Sequence, residues 1–177
     1  MTVLAVSAIG ADRPGIVASV TGVLYQHGCN LEDTEMAVLR GHFAMMLVVS
    51  APESLTAEEL EGALTEAAGS DLVVAVRTID DGVPASPSGD RWWVAVYGAD
   101  RPGIVHGVTS LLAEAGANIL DLETRVIGEA ARPVYAMLLE ITVPSDVDGD
   151  ALAAQLADHG RALGVECTMR PAEADVF

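Results

Sequence analysis

The heptapeptide Ala11-Asp12-Arg13-Pro14-Gly15-Ile16-Val17 returns unchanged as Ala99-Asp100-Arg101-Pro102-Gly103-Ile104-Val105, 88 residues further on. An identical run of this length does not arise by chance in a chain of 177 residues, so the chain is a duplicated module. The same offset pairs Gly10 with Gly98, Val20 with Val108, Thr21 with Thr109, Leu24 with Leu112 and Gly28 with Gly116. It also pairs Asn30 with Asn118, Asp33 with Asp121 and Glu35 with Glu123. Any fold must therefore be built twice, from units near the lower size limit for independent folding.

The order of elements follows from periodicity and punctuation. Val3 to Ile9 is a β-branched and Ala-rich run ending at Gly10, a first strand. Ile16, Val20, Val23, Leu24 and His27 fall at helical spacing, which predicts a helix from about Pro14 to His27, stopped by Gly28. Leu31–Leu39 is a second strand, Arg40-Gly41-His42 a turn, and Phe43–Ser50 a third strand. Thr56 with Glu59 has the pattern of a capping box, opening a helix that buries Leu60 and Leu64 and ends near Gly69. Leu72–Ile79 closes the module as a fourth strand.

The second copy repeats this order. Trp92–Tyr97 is a strand, Pro102–Ala115 a helix and Ile119–Ile127 a strand. A hairpin loop over Gly128–Pro133 is longer than its counterpart, because Ala44 aligns with Ala136 at an offset of 92. Val134–Val143 is a strand, Gly149–Leu163 a helix and Val165–Arg170 a strand. The expected fold class is α+β: two ferredoxin-like βαββαβ modules in tandem, each an antiparallel four-stranded sheet with two helices on one face. Right-handed crossovers put the first and third strands in the middle. The expected boundaries are 1–80 for the first module, 81–90 for a Pro-, Ser- and Gly-containing linker, 91–171 for the second module and 172–177 for a tail. Unpaired sheet edges are a liability, and edge pairing between modules or between chains would relieve it. A homodimer is expected.

Composition narrows the function. The net charge is −17, lysine is absent and the nine basic residues are all Arg. Nucleic-acid and anionic-membrane binding depend on basic residues, so no direct nucleic-acid or membrane partner is expected. Without lysine there is neither a phosphate-loop lysine nor a Schiff base for pyridoxal phosphate. Cys29 and Cys167 are expected to be small apolar residues in a reducing cytoplasm, and the N-terminus lacks the features of a signal peptide. His27, His42, His106 and His159 show no metal-ligand spacing. No nucleophile elbow or dinucleotide fingerprint occurs, so no catalytic set, cofactor or metal is expected. Glu32, Asp33 and Glu35 have the character of a solvated edge strand, and Met36, Met45 and Met46 that of core filler.

The repeated Asp-Arg-Pro-Gly loop lies between a strand and a helix. Helix N-termini offer unpaired N–H groups and partial positive charge, which suit a carboxylate. Pro is tolerated at the first helical position, and Gly15 and Gly103 would let a ligand approach the backbone. Asp12 and Asp100 could cap the helix or pair with a ligand ammonium. An α-amino acid carries both charges. The plainer alternative is that Asp is only a cap and Pro-Gly only a turn. Asn30 and Asn118 follow the helix-stopping Gly and are either turn residues or amides presented where an edge strand meets a neighbour.

The pattern Asp-Arg-Pro-Gly-Ile-Val, a helix, then Gly-Cys-Asn-Leu or Gly-Ala-Asn-Ile, resembles the ACT domain, a small amino-acid-sensing module. Two such modules and nothing else resemble the family of the glycine cleavage system transcriptional repressor. The resemblance implies amino acids bound between modules, where the loop before the first helix meets the start of a partner's second strand. It implies ligand-binding roles for Asp12, Arg13, Pro14, Gly15, Ile16, Asn30 and Leu31, and for Asp100, Arg101, Pro102, Gly103, Ile104, Asn118 and Ile119. Arg13 and Arg101 are expected to point outward or against the partner module. Ala18 and Ser19 give way to His106 and Gly107 in the second copy, which would make the sites unequal. The function implied is a non-catalytic sensor of an amino acid, glycine or serine by analogy, read out by a protein partner. The alternatives are a structural dimerisation module, or a detached regulatory part of an amino-acid-metabolism enzyme such as phosphoserine phosphatase or formyltetrahydrofolate deformylase, whose N-terminal parts carry similar modules.

Overall fold

The computed structural model describes residues 1–79, 89–127 and 134–172. Residues 81–88 of the expected linker, the hairpin loop over Gly128–Pro133 and nearly all of the expected tail lie outside the described residues, while Gly89 and Asp90, expected in the linker, pair with Pro144 and Val143 and so belong to the first strand of the second module. The chain divides into two compact units, Met1–Val83 and Pro84–Phe177.

In the first unit the elements run β1 (Thr2–Ala11), α1 (Ile16–Gln26), β2 (Asn30–Leu39), β3 (His42–Ala51), α2 (Ala57–Ala68), a 3-10 turn at Gly69–Asp71, and β4 (Leu72–Ile79). In the second they run β5 (Gly89–Ala99), α3 (Ile104–Glu114), β6 (Asn118–Ile127), β7 (Val134–Pro144), α4 (Gly149–Leu163) and β8 (Val165–Pro171). The sheets have the orders β2-β3-β1-β4 and β6-β7-β5-β8, with every pairing antiparallel. This is the ferredoxin-like plan, twice.

Each core forms between one sheet face and its two helices. Strand alternation sends Leu4, Val6 and Ala8 of β1 and Phe43, Met45, Leu47 and Val49 of β3 toward Ile16, Val20, Val23 and Leu24 of α1 and Leu60 and Leu64 of α2. Val94, Val96, Tyr135, Met137, Leu139 and Ile141 meet Ile104, Val108, Leu112, Leu152 and Leu156 in the second unit. Cys167 is buried and Cys29 half-buried, and burial raises both thiol pKa values. Met45 is core, as its position in β3 dictates. Met36 and Met46 are 44% and 57% exposed, contrary to expectation. Met46 lies on the sheet face that no helix covers, and Met36 on β2, whose ten residues are all exposed.

The turns follow local chemistry. Arg40 (φ 50°) and Gly41 (φ 81°) both take positive φ, the two-residue hairpin turn that matches strand twist. Helix α1 ends with Gly28 at φ 70°, where Gly28 N–H donates to Tyr25 O at 3.1 Å and Cys29 N–H to Leu24 O at 2.9 Å. That is a Schellman motif, and Gly116 with Ala117 repeats it after α3. The capping box at α2 forms: Thr56 Oγ1 accepts from Glu59 N–H at 3.2 Å, and Glu59 Oε2 accepts from Thr56 N–H at 2.9 Å. These hydrogen bonds hold the Glu59 carboxyl below the usual glutamate range. No helix among the described residues is long and apolar enough to cross a membrane.

Candidate functional site

The repeated loop sits at one end of each sheet. Ala11 pairs with His42, and Asp12 N–H then donates to Gly41 O at 2.9 Å, tying the loop to the β2–β3 turn. The helix starts later than expected. The N-cap of α1 is Gly15 at φ 90°, and that of α3 is Gly103 at φ 95°, both left-handed. Pro14 and Pro102 therefore precede the helix instead of opening it. Asp12 and Asp100 do not cap, because they lie three residues before the N-cap and no side chain bonds the first turn of either helix. The glycines are required by φ, since an added Cβ at either position would meet nothing within 4 Å. The first helical hydrogen bonds are Ser19 N–H to Gly15 O at 2.9 Å and Gly107 N–H to Gly103 O at 2.8 Å.

These N-termini contrast with the other two. Thr56 caps α2, and Asp148 Oδ1 accepts from Asp150 and Ala151 N–H at α4. Helices α1 and α3 have neither a side-chain cap nor an acidic residue in the first turn. Their first N–H groups remain available to an anion beside an exposed Asp carboxylate. Ile16 and Ile104 are 2% exposed, so they anchor the helix start in the core and do not line a surface.

Arg13 stays partly exposed but reaches back onto its own module, a contact not expected of it. Arg13 Nη2 donates to Ala68 O at 3.1 Å, and its Nε lies 3.8 Å from Asp71 Oδ2. A cation at the C-terminus of α2 satisfies a free carbonyl and complements the helix dipole. Arg101 takes the matching place at the end of α4, with Nη1 3.0 Å from where a Cβ on Gly164 would stand. The Arg13 guanidinium thus ties the first loop to the second helix of its own module, and Arg101 lies beside the corresponding end of α4.

Asn30 and Asn118 open β2 and β6 in extended backbone, so the positive-φ turn role does not apply. Asn30 pairs with Ser50, which also pairs with Val3, eight residues from Ala11 along β1. At a rise of about 3.3 Å per residue that is roughly 26 Å from the loop. Asn118 opposite Thr142 is placed the same way. A single module therefore does not bring its loop and its Asn together. Leu31 and Ile119 follow on the helix-facing side of the sheet, just before a bulge present in both edge strands. Leu31 is 44% exposed there.

The copies differ under the loop. Phe43 pairs with Gly10, and Tyr135 pairs with Gly98 at the equivalent place. Both side chains are buried, at 2% and 8% exposure. The Tyr135 hydroxyl has no hydrogen-bond partner among the described residues. Burial pushes its pKa up, and the nearby Asp100 carboxylate pushes it further. The difference was accessible in the sequence, because the offset of 92 aligns Phe43 with Tyr135. Beside the loop, His106 Nδ1 lies 3.3 Å from Ser110 Oγ. Gly107 lets α3 approach α4, since a Cβ there would stand 3.0 Å from His159 Nε2. Among the described residues no three or more His, Cys, Asp or Glu side chains gather as a metal site.

Comparison with known proteins places this geometry. The ACT domain family matches twice, over residues 2–76 and 92–159, which defines a tandem ACT-domain protein. The glycine cleavage system transcriptional repressor of Escherichia coli is 31% identical over 174 residues, spanning 98% of this chain and 88% of that protein. A UPF0237 protein of Methanopyrus kandleri is 44% identical over 79 residues, 42% of this chain and 87% of its own. Among solved structures, an unknown protein from Galdieria sulphuraria superposes with a TM-score of 0.82 at 28% identity, covering 97% of this chain and 98% of its own. The chain belongs to the family of the glycine cleavage system transcriptional repressor.

Proposed function

We propose that this ACT-domain regulator is a non-catalytic amino-acid sensor. The observation that carries the reading is the pair of open helix N-termini at α1 and α3, each beside an exposed Asp. The N–H groups suit an α-carboxylate and the Asp suits an ammonium. A neutral zwitterion satisfies both, where a simple anion would be repelled by a chain of charge −17.

The site residues are Asp12, Pro14, Gly15 and the backbone N–H groups of the first turn from Ile16, with Asp100, Pro102, Gly103 and the backbone N–H groups of the first turn from Ile104 in the second copy. Arg13 and Arg101 hold the loop in place. Asn30 and Leu31, or Asn118 and Ile119, complete each site from another module, because within one module they lie at the far end of the sheet. Edge strands β2 and β6 supply a surface for that meeting, and a homodimer in the cytoplasm is the expected form. Glycine and serine are the first ligands to test. A ligand that favours one arrangement of modules shifts the equilibrium toward it, and a protein partner reads the shift. Any effect on transcription runs through that partner, since nine scattered arginines and no lysine make a poor phosphate-binding surface.

Asp12→Ala and Asp100→Ala are each expected to remove part of the ligand-dependent rise in melting temperature, and the double variant all of it. A hundredfold excess over Kd is worth about 2.7 kcal/mol to the folded state, well within detection. A double variant that responds like wild type would place the site elsewhere. The alternative, a dimerisation module whose loops are only structural, expects no amino-acid response in any variant.

A further inference from the structure

We infer that Tyr135 is a specificity-determining residue of the second loop site, where its hydroxyl accepts or donates one hydrogen bond to a polar group of the ligand that the first site cannot match. The inference rests on the sensor reading above and deepens it. Three observations carry it. Tyr135 is 8% exposed, and its hydroxyl is buried without a partner among the described residues. A buried hydroxyl left unpaired is costly, and such groups recur where a ligand completes the hydrogen bonding. Register places the side chain beneath the loop, because Tyr135 pairs with Gly98, two residues before Asp100. The α3 N-terminus above it is eleven residues of helix without a side-chain cap.

The duplication supplies an internal comparison. Phe43 occupies the same place under the first loop, also buried, with no polar side-chain atom. The loop heptapeptide itself is identical in the two copies. At this position the copies differ only by a hydroxyl against a hydrogen, which alters hydrogen bonding and not charge, and Tyr135→Phe isolates that difference from the His106 and Gly107 differences beside the loop. Sites that hydrogen-bond a ligand discriminate against analogues lacking the group far more strongly than apolar sites do. The chemical class is thus a small zwitterion whose ammonium, or side-chain hydroxyl, sits between the Asp100 carboxylate and the Tyr135 oxygen. The second site should be the tighter and more selective of the two.

The test is a screen of the twenty amino acids by thermal shift on wild type, Tyr135→Phe and the Asp12→Ala, Asp100→Ala pair, followed by calorimetric titration of each amino acid that stabilises wild type. The expected result is two unequal classes of site, with Tyr135→Phe weakening the tighter class at least tenfold. Tyr135→Phe changes one buried atom to match Phe43, so a folded protein is expected. With three tyrosines in the chain, protein labelled with ¹³C at the tyrosine ζ carbon gives a second reading. The ligand should shift the Tyr135 signal and leave the Tyr25 and Tyr97 signals in place. Unchanged affinity in Tyr135→Phe, with loss in the Asp pair, would overturn this inference while keeping the sensor. Absence of response to all twenty in wild type would overturn both.

Discussion

Gly10→Ala is expected to lower the melting temperature of the first module by roughly 15 °C. A Cβ at Gly10 would stand 2.0 Å from Asp71 O and 2.6 Å from Leu72 Cδ2. The leucine terminus can swing away, but the carbonyl is held where the 3-10 turn enters β4, and Gly10 itself is paired with Leu72 and Phe43. Relief requires β1 and β4 to separate at that end. Overpacking of this kind costs about 3 kcal/mol or more when backbone must move. For a module of this size each kcal/mol shifts Tm by about 4–8 °C. Gly62→Ala is the matched control: it lies on the exposed side of α2 with nothing within 4 Å of the new Cβ. Removing a helical glycine there should stabilise by about 0.5–1 kcal/mol. Calorimetric unfolding of both variants decides. An unchanged Tm in Gly10→Ala would mean that the β1–β4 register is wrong. Because Gly10 stands two residues before Asp12, the same distortion should also weaken any ligand bound at the first loop.

Asn30→Ala combined with Asn118→Ala is expected to remove amino-acid binding as completely as the paired Asp variants. Viewed within one module this is surprising, since about 26 Å of strand separates the two groups. It follows if each ligand lies between a loop and the opening of another module's edge strand. An amide that hydrogen-bonds a charged ligand group contributes about 1.5–3 kcal/mol, a loss of roughly tenfold to a hundredfold in affinity per site. Titration of the Asn pair, the Asp pair and an equimolar mixture refolded together checks it. Where sites form between chains, the mixture regains binding, because an intact loop from one chain meets an intact Asn from the other. Where they form between modules of one chain, both pairs fail and the mixture fails with them. Full binding by the Asn pair would remove Asn30 and Asn118 from the site.

The topology was legible because the duplication doubled every signal. Gly28 with Gly116, and the two runs of helical spacing before them, fixed the element order in each copy. The Thr56–Glu59 capping box was legible for a local reason: its geometry involves four consecutive residues and no tertiary contact. The helix start was misplaced by two residues because Pro-Gly admits two outcomes. Pro14 can occupy the first helical position, or Gly15 can become a left-handed N-cap and push Pro14 outside. The structure takes the second, and Asp12 loses the capping role with it. Arg13 escaped the sequence because its partner, Ala68 O, is 55 residues away and is a backbone atom without a sequence signature. Met36 and Met46 carried the composition of core residues. Met46 follows core Met45 in β3, so alternation turns it to the face that no helix covers, while Met36 pairs with Met45 on the edge strand, where the helices do not reach far enough to bury it. The Phe43–Tyr135 substitution was legible once the offset moves from 88 to 92, but the burial and unpaired hydroxyl that single it out depend on tertiary packing.

The most direct test of the central claim is a thermal-shift screen of the purified wild-type protein against the twenty amino acids at millimolar concentration. The expected result is a clear rise for one or a few small amino acids, glycine or serine among them, and none for the rest. An unchanged melting temperature with all twenty would contradict amino-acid sensing and leave the open helix N-termini as structural features of a dimerisation module.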